Sequence, residues 1–221
     1  MKRTVLIALS VILTLAMAVP AAYAQRQPGS ETSTDIGQLS AQFWLWALQN
    51  PTATSPLVGG YEGGEQCEGE FVDGVFFLAG STTGDPVTRS CTVPNDLTIF
   101  LPTVTIACSE NLGDTRTAIR EAGGLIDYCE DLFDQITEGG EMFATLDGQE
   151  LPIECETSPL FRATVLEDNP FGFPEATQPK QAVAVGCYVL LEPLEAGTYT
   201  LHFGISDALF EQDITYRLTV T

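Results

Sequence analysis

One histidine, His202, stands in the whole chain, and lysine and arginine together number nine against thirty acidic residues. A Ser-His-Asp triad and a His-rich zinc site both need imidazoles, so a lone histidine in an apparent strand leaves little room for either. No G-x-S-x-G elbow, P-loop, G-x-G-x-x-G, D-x-D-x-D-G calcium loop or N-x-S/T sequon occurs. The formal charge of −21 repels nucleic acid and anionic membrane surfaces, which excludes both as partners. C-x-x-C spacing is also missing, so the six cysteines, Cys67, Cys91, Cys108, Cys129, Cys155 and Cys187, do not form a zinc-binding pattern.

The only long apolar run, Val5 to Val19, lies behind Lys2 and Arg3 and ahead of Ala22-Tyr23-Ala24. That order defines a cleavable signal peptide over residues 1–24, and no later run reaches the length of a membrane span. Removing it takes the charge from −21 to −23 and leaves Lys180 as the single lysine. The protein is then secreted or periplasmic. An even number of cysteines in an exported chain reads as three disulfides. Six cysteines allow fifteen pairings, and sequence alone does not choose among them; the set expected here is Cys67–Cys91, closing the segment across Val75–Leu78, with Cys129–Cys155 and Cys108–Cys187.

Residues 25–34 are polar and aperiodic, a flexible tail. Ile36, Leu39, Phe43, Trp46 and Ala47 recur at helical spacing behind the N-cap candidate Asp35, and Asn50-Pro51 stops them. Trp44 and Leu48 lie off that stripe. Residues 51–70 read as a loop carrying Glu62, Glu65, Glu68 and Glu70. The densest apolar stretch follows: Val75–Leu78, then Leu97, Ile99 and Leu101 in alternation, then Val104, Ile106 and Cys108 in alternation, read as successive antiparallel strands. A helical insertion at about 114–137, capped by Asp114 and kinked at Gly123-Gly124, carries an apolar stripe from Ala118 to Ile136. Asp147-Gly148 marks a hairpin between Met142–Leu146 and Gln149–Ile153. Pro159–Val165 is a strand and Glu167–Pro179 a long loop. Ala182–Leu191 and Thr198–Ile205 read as strands of a hairpin joined through Glu192–Gly197, and Ile214–Val220 closes the chain.

Eight to ten strands with one or two helical insertions predict a mainly β, disulfide-stabilised single domain over residues 35–221. The architecture expected is an antiparallel β-sandwich or jelly roll. Phe43-Trp44-Leu45-Trp46-Ala47 with Asn50-Pro51, Val75-Phe76-Phe77-Leu78-Ala79-Gly80, Arg89-Ser90-Cys91-Thr92-Val93-Pro94, Ile99-Phe100-Leu101-Pro102 and the ending Leu191-Glu-Pro-Leu-Glu-Ala-Gly-Thr-Tyr-Thr-Leu-His-Phe203 resemble a family of uncharacterised bacterial secreted proteins. The resemblance implies export as one domain and carries no activity or catalytic residue with it.

Three features bear on chemistry. Glu62, Glu65, Glu68, Glu70 and Asp73 gather oxygen ligands in a loop, the geometry calcium favours. Asp127, Glu130, Asp131 and Asp134 share one helix face at i, i+3, i+4 and i+7, either a solvated face or a surface for calcium or a basic partner. Phe171 and Phe173, in the loop DNPFGFPE, either stand exposed as a platform for a glycan or an extracellular protein, or fold back on the domain. Two functions follow. One is an exported non-catalytic module, structural or ligand-binding. The alternative is a secreted acid-base hydrolase with a glycosidase-like carboxylate pair and calcium as its candidate cofactor.

Overall fold

The computed structural model describes residues 35–58, 71–72 and 74–221. The signal peptide, the tail, Cys67 and the acidic loop cluster Glu62, Glu65, Glu68, Glu70 and Asp73 lie outside the described residues.

Among the described residues the fold is mainly β, with two sheets and three α-helices. Sheet A contains β1 (Phe71–Val72), β2 (Val75–Phe77), β4 (Thr98–Ser109), β7 (Glu154–Thr157), β8 (Phe161–Val165) and β9 (Ala176–Leu191). Its order is β1-β2-β4-β9-β7, with β8 following β7 along the same edge of β9. Sheet B contains β3 (Val87–Val93), β5 (Glu141–Leu146), β6 (Gln149–Glu150), β10 (Gly197–Ser206) and β11 (Gln212–Val220), in the order β3-β11-β10-β5-β6. Pairing is antiparallel except between β2 and β4 and between β3 and β11, which run parallel. Both sheets are therefore mixed.

Inner faces of the two sheets meet through Phe76, Ile99, Leu101 and Val189 from sheet A and Leu201, Phe203, Tyr216 and Leu218 from sheet B. On the outer face of sheet A lies α1 (Ile36–Leu48), capped by Asp35, whose carboxylate accepts from Gln38 N at 3.1 Å. Asn50 Nδ2 donates to Trp46 O at 2.8 Å and ends it. No charged residue occurs in this helix, and it is buried on nearly all sides, Trp44 and Leu48 included. That is what a helix without a polar face must do. Phe43 packs within 5.4–6.5 Å of the rings of Trp46, Phe77 and Phe100, a burial worth about 1.5–3 kcal/mol.

The helical insertion divides at Gly123-Gly124 into α2 (Arg116–Glu121) and α3 (Leu125–Thr137). Its cap is Thr115, whose hydroxyl accepts from Ala118 N at 3.2 Å. Asp114, expected to cap it, is instead turned back onto Ser109. Along α3, Cys129 and Phe133 are buried against Val104, Val183 and Val185 of sheet A and Ile205 of sheet B. Thus α3 covers the same face of sheet A that sheet B covers.

Several local expectations are corrected. The two alternating runs at Leu97–Leu101 and Val104–Cys108 are one strand, β4, with a bulge between Pro102 and Val104. The extra residue shifts the inward side from odd to even numbers, so both runs face the same side of sheet A, the first toward sheet B and the second toward α3. β9 begins at Ala176, inside the supposed loop, because its first half pairs with β8. Glu192–Gly197 does not close a hairpin: it carries the chain from β9 in sheet A to β10 in sheet B, and the hairpin is β10–β11. Asp147 and Gly148 both take positive φ, 50° and 78°, as a two-residue hairpin turn demands, but β6 is shorter than the run to Ile153.

The disulfides are Cys108–Cys129 and Cys155–Cys187, which replaces the expected Cys129–Cys155 and Cys108–Cys187. Register explains the exchange. Cys187 pairs directly with Cys155 across β7 and β9, whereas its β4 partner is Val104 and Cys108 lies opposite Val183. Cys108 then meets Cys129, which α3 buries over the end of β4. Cys91 is disulfide-bonded too, and its expected pairing with Cys67 falls outside the described residues. Among the described residues no helix is long and apolar enough to cross a membrane.

Candidate functional site

The site is built on an interruption in sheet A. β2 pairs with β4 only from Thr98 to Phe100, and the last bond of that ladder runs from Leu78 N to Phe100 O at 2.9 Å. Beyond it the chain at 79–81 leaves the sheet while β4 continues for nine residues. On its other side β4 stays paired with β9 through Ser109. The second half of β4 therefore has an edge that no strand among the described residues covers.

Register identifies which groups face that edge. Ser158 N donates to Ala184 O at 2.8 Å and Ala184 N donates to Ser158 Oγ at 2.9 Å, so the backbone of Ala184 faces away from β4. Its cross-strand partner Ala107 therefore turns its own N–H and C=O away from β9, and so does Thr105 two residues earlier. The neighbours of this pair in the same row are capped. Thr103 O accepts from Gln212 Nε2 at 2.8 Å, and Gln212 Oε1 accepts from Ser81 N at 2.8 Å. At the other end, Ser109 N donates to Asp114 Oδ2 at 2.7 Å and Asp114 N donates to Ser109 O at 3.3 Å. Between the caps, the N–H and C=O of Thr105 and Ala107 have no protein partner among the described residues. In agreement, β4 is buried from Ile99 to Val104 and at Cys108 and Ser109, and only half-buried from Thr105 to Ala107.

Over this edge lies a cleft of about 600 Å³. One wall is Trp44, Phe171 and Phe173; the other is Leu132 and Ile136 of α3 with Phe210 from the β10–β11 turn. Trp44 is held by its indole N–H, which donates to Thr105 Oγ1 at 3.0 Å. Thr105 Oγ1 also meets Tyr188 Oη at 2.8 Å and Val185 O at 3.1 Å. Burial and loss of solvent push the Tyr188 phenol up to about 12, so it remains a neutral hydrogen-bonding strut. Gly186 gives these side chains room: a Cβ there would lie 2.5 Å from Tyr188 Oη and 2.6 Å from Thr105 Oγ1. Arg89, buried, donates to Ala79 O and Gly80 O, both at 2.9 Å, and so fixes the segment that leaves the sheet.

Among the described residues, Asp114 is the one acid lining the cleft. Burial raises its proton affinity above the ordinary carboxyl range, against the opposing pull of the Ser109 N–H and of the Tyr128 hydroxyl, which donates to Oδ1 at 3.0 Å.

The residues singled out from sequence fall in different places. Phe171 and Phe173 neither stand free nor disappear into the core. They stack on each other at 5.5 Å, Phe171 lies 5.3 Å from Trp44, and both present to the cleft. Asn169 shapes their loop, its Oδ1 accepting from Phe171 N and Phe173 N at 3.2 and 3.1 Å. Asp127, Glu130, Asp131 and Asp134 form an exposed face of α3, on which Glu130 accepts from Thr157 Oγ1 at 2.7 Å. No group of three or more His, Cys, Asp or Glu side chains suited to a metal ion occurs among the described residues. His202 sits half-exposed on the outer face of sheet B, with Nε2 2.8 Å from Asp213 Oδ1 and its ring against Phe143. Sequence reasoning missed Thr105, Ala107, Gln212 and Asp114. The odd-to-even shift across Pro102-Thr103 was the one signal that marked β4 as bulged, a common neighbour of functional edges.

No protein-family model, curated protein or solved structure matches the chain.

Proposed function

We propose that the protein is an exported, non-catalytic binding module that takes an apolar ligand in the cleft along β4. The observation that carries this reading is the cleft itself: aromatic and aliphatic walls on both sides of β4, at Thr105–Ala107, where an otherwise buried strand has an edge with no partner among the described residues. Concave, mostly apolar sites with a few convergent polar groups are the usual form of ligand pockets. Export is supported by the N-terminal signal pattern and by disulfides, which persist in oxidising compartments. The resemblance to bacterial secreted proteins points the same way. A paired-carboxylate hydrolase asks for two acids across one cleft, and among the described residues this lining supplies Asp114 alone.

Titration with Nile red, an uncharged fluorescent probe, tests the reading. Saturable 1:1 binding is expected, with at least a tenfold loss of affinity in Phe171→Ala and in Leu132→Asp. Non-saturating binding, or saturable binding that neither substitution changes, overturns it.

A further inference from the structure

Resting on that reading, we infer that the occupant of the cleft is an extended peptide segment of another protein, which adds as a strand to the open edge of β4 at Thr105–Ala107. Two N–H and two C=O groups face this cleft without a protein partner among the described residues. A lipid chain or other purely apolar ligand would bury them unsatisfied, and each such group costs as much as a lost hydrogen bond or more. A peptide strand supplies the complementary groups at matching spacing, which is how sheet edges recruit peptides.

The walls set what the strand carries. Its side chains alternate between the two faces of sheet A. One set meets Trp44, Phe171 and Phe173, the other Leu132, Ile136 and Phe210, so the segment is apolar on both faces. The caps at Thr103 and Ser109 limit it to four to six residues, roughly 13–20 Å of extended chain. Leu209, beside Phe210 on the rim, is 81% exposed, an apolar contact outside the cleft for residues that flank the strand. The formal charge of −21 favours basic flanks over acidic ones.

The probe is a library of capped hexapeptides with lysine at both ends and four central positions drawn from Val, Ile, Leu and Phe, screened against the whole protein. Members that displace Nile red are then N-methylated one amide at a time. Methylation at alternate amides is expected to weaken binding at least tenfold and at the intervening amides to leave it within about twofold, because only every second N–H of a strand faces its neighbour. Ala107→Pro removes one edge donor and is expected to weaken the peptide at least tenfold. Should that variant fail to fold, the methylation series decides alone. Nile red binding that no library peptide displaces, or displacement without the period-two pattern, overturns the strand and leaves the module reading standing. Concentration-dependent dimerisation that the peptides do not reverse also overturns it, since a second copy would then hold the edge.

Discussion

The amide of Gln212 bridges two backbones that have just separated: Nε2 donates to Thr103 O and Oε1 accepts from Ser81 N, both at 2.8 Å. A buried side chain thereby takes the place of a strand at the point where sheet A opens, and it fixes one end of the cleft. Gln212→Ala is expected to destabilise the protein by about 2–4 kcal/mol, because one buried acceptor and one buried donor lose their partners. Urea denaturation measures it. A change below about 0.5 kcal/mol would show that the bridge is dispensable.

Gly80 and Gln212 are coupled. A Cβ on Gly80 would lie 2.4 Å from Gln212 Oε1, so Gly80→Ala displaces the amide from its bridge. It should cost about 1–3 kcal/mol alone and much less in a Gln212→Ala background, a coupling that a double-mutant cycle reads directly. Additive effects would contradict the geometry.

Trp44 and Trp46 are the two tryptophans, and only Trp44 lines the cleft. Ligand binding should therefore change the tryptophan emission of the native protein and of Trp46→Phe. Trp44→Phe should abolish the response. Persistence of the response in Trp44→Phe would place the ligand elsewhere.

Much of this was legible in the sequence, for physical reasons that differ by element. Asp147-Gly148 names its turn because few other pairs accept two positive φ angles. The stripe on α3 survived because it spans a full amphipathic helix, and its kink followed from two adjacent glycines. The start of α1 was readable from Asp35, yet its depth was not, since a stripe assigned to one face says nothing about a second surface closing over the other. Disulfide pairing depends on strand register between distant segments, and no local feature of Cys155 reveals that Cys187 will stand opposite. The site was hidden for the same reason. Thr105 and Ala107 are unremarkable strand residues until one knows where β2 stops. Phe171 and Phe173 were visible because a Pro- and Gly-rich loop has no other use for two phenylalanines.

Asp114 gives the cleft a pH signature. Its folded-state pKa lies above the ordinary 3.8 because burial outweighs its hydrogen bonds. A group raised on folding favours the folded state below its unfolded pKa, and that contribution is lost as pH rises through the folded value. Relative to Asp114→Asn, the wild-type protein should be most favoured below pH 3.8 and lose that advantage as the pH rises above it. Thermal melts of both proteins from pH 3 to 7 test this. A constant difference would contradict the assignment.

Cys108–Cys129 closes 21 residues of sequence and fastens α3 over β4. Replacing both cysteines with serine should cost about 3 kcal/mol and loosen the wall formed by Leu132 and Ile136, weakening Nile red binding as well as stability. Peptide mapping without reduction should recover the linked pairs 108–129 and 155–187. Linkage of 129 to 155 would contradict the fold.

The open edge of β4 is tested most directly by amide hydrogen exchange, resolved by residue, in the protein without ligand. Thr105 and Ala107 should exchange at least roughly a hundredfold faster than Val104, Ile106 and Cys108, whose amides face β9. Uniform slow exchange across all five would mean that another strand already covers the edge, and the account would fail.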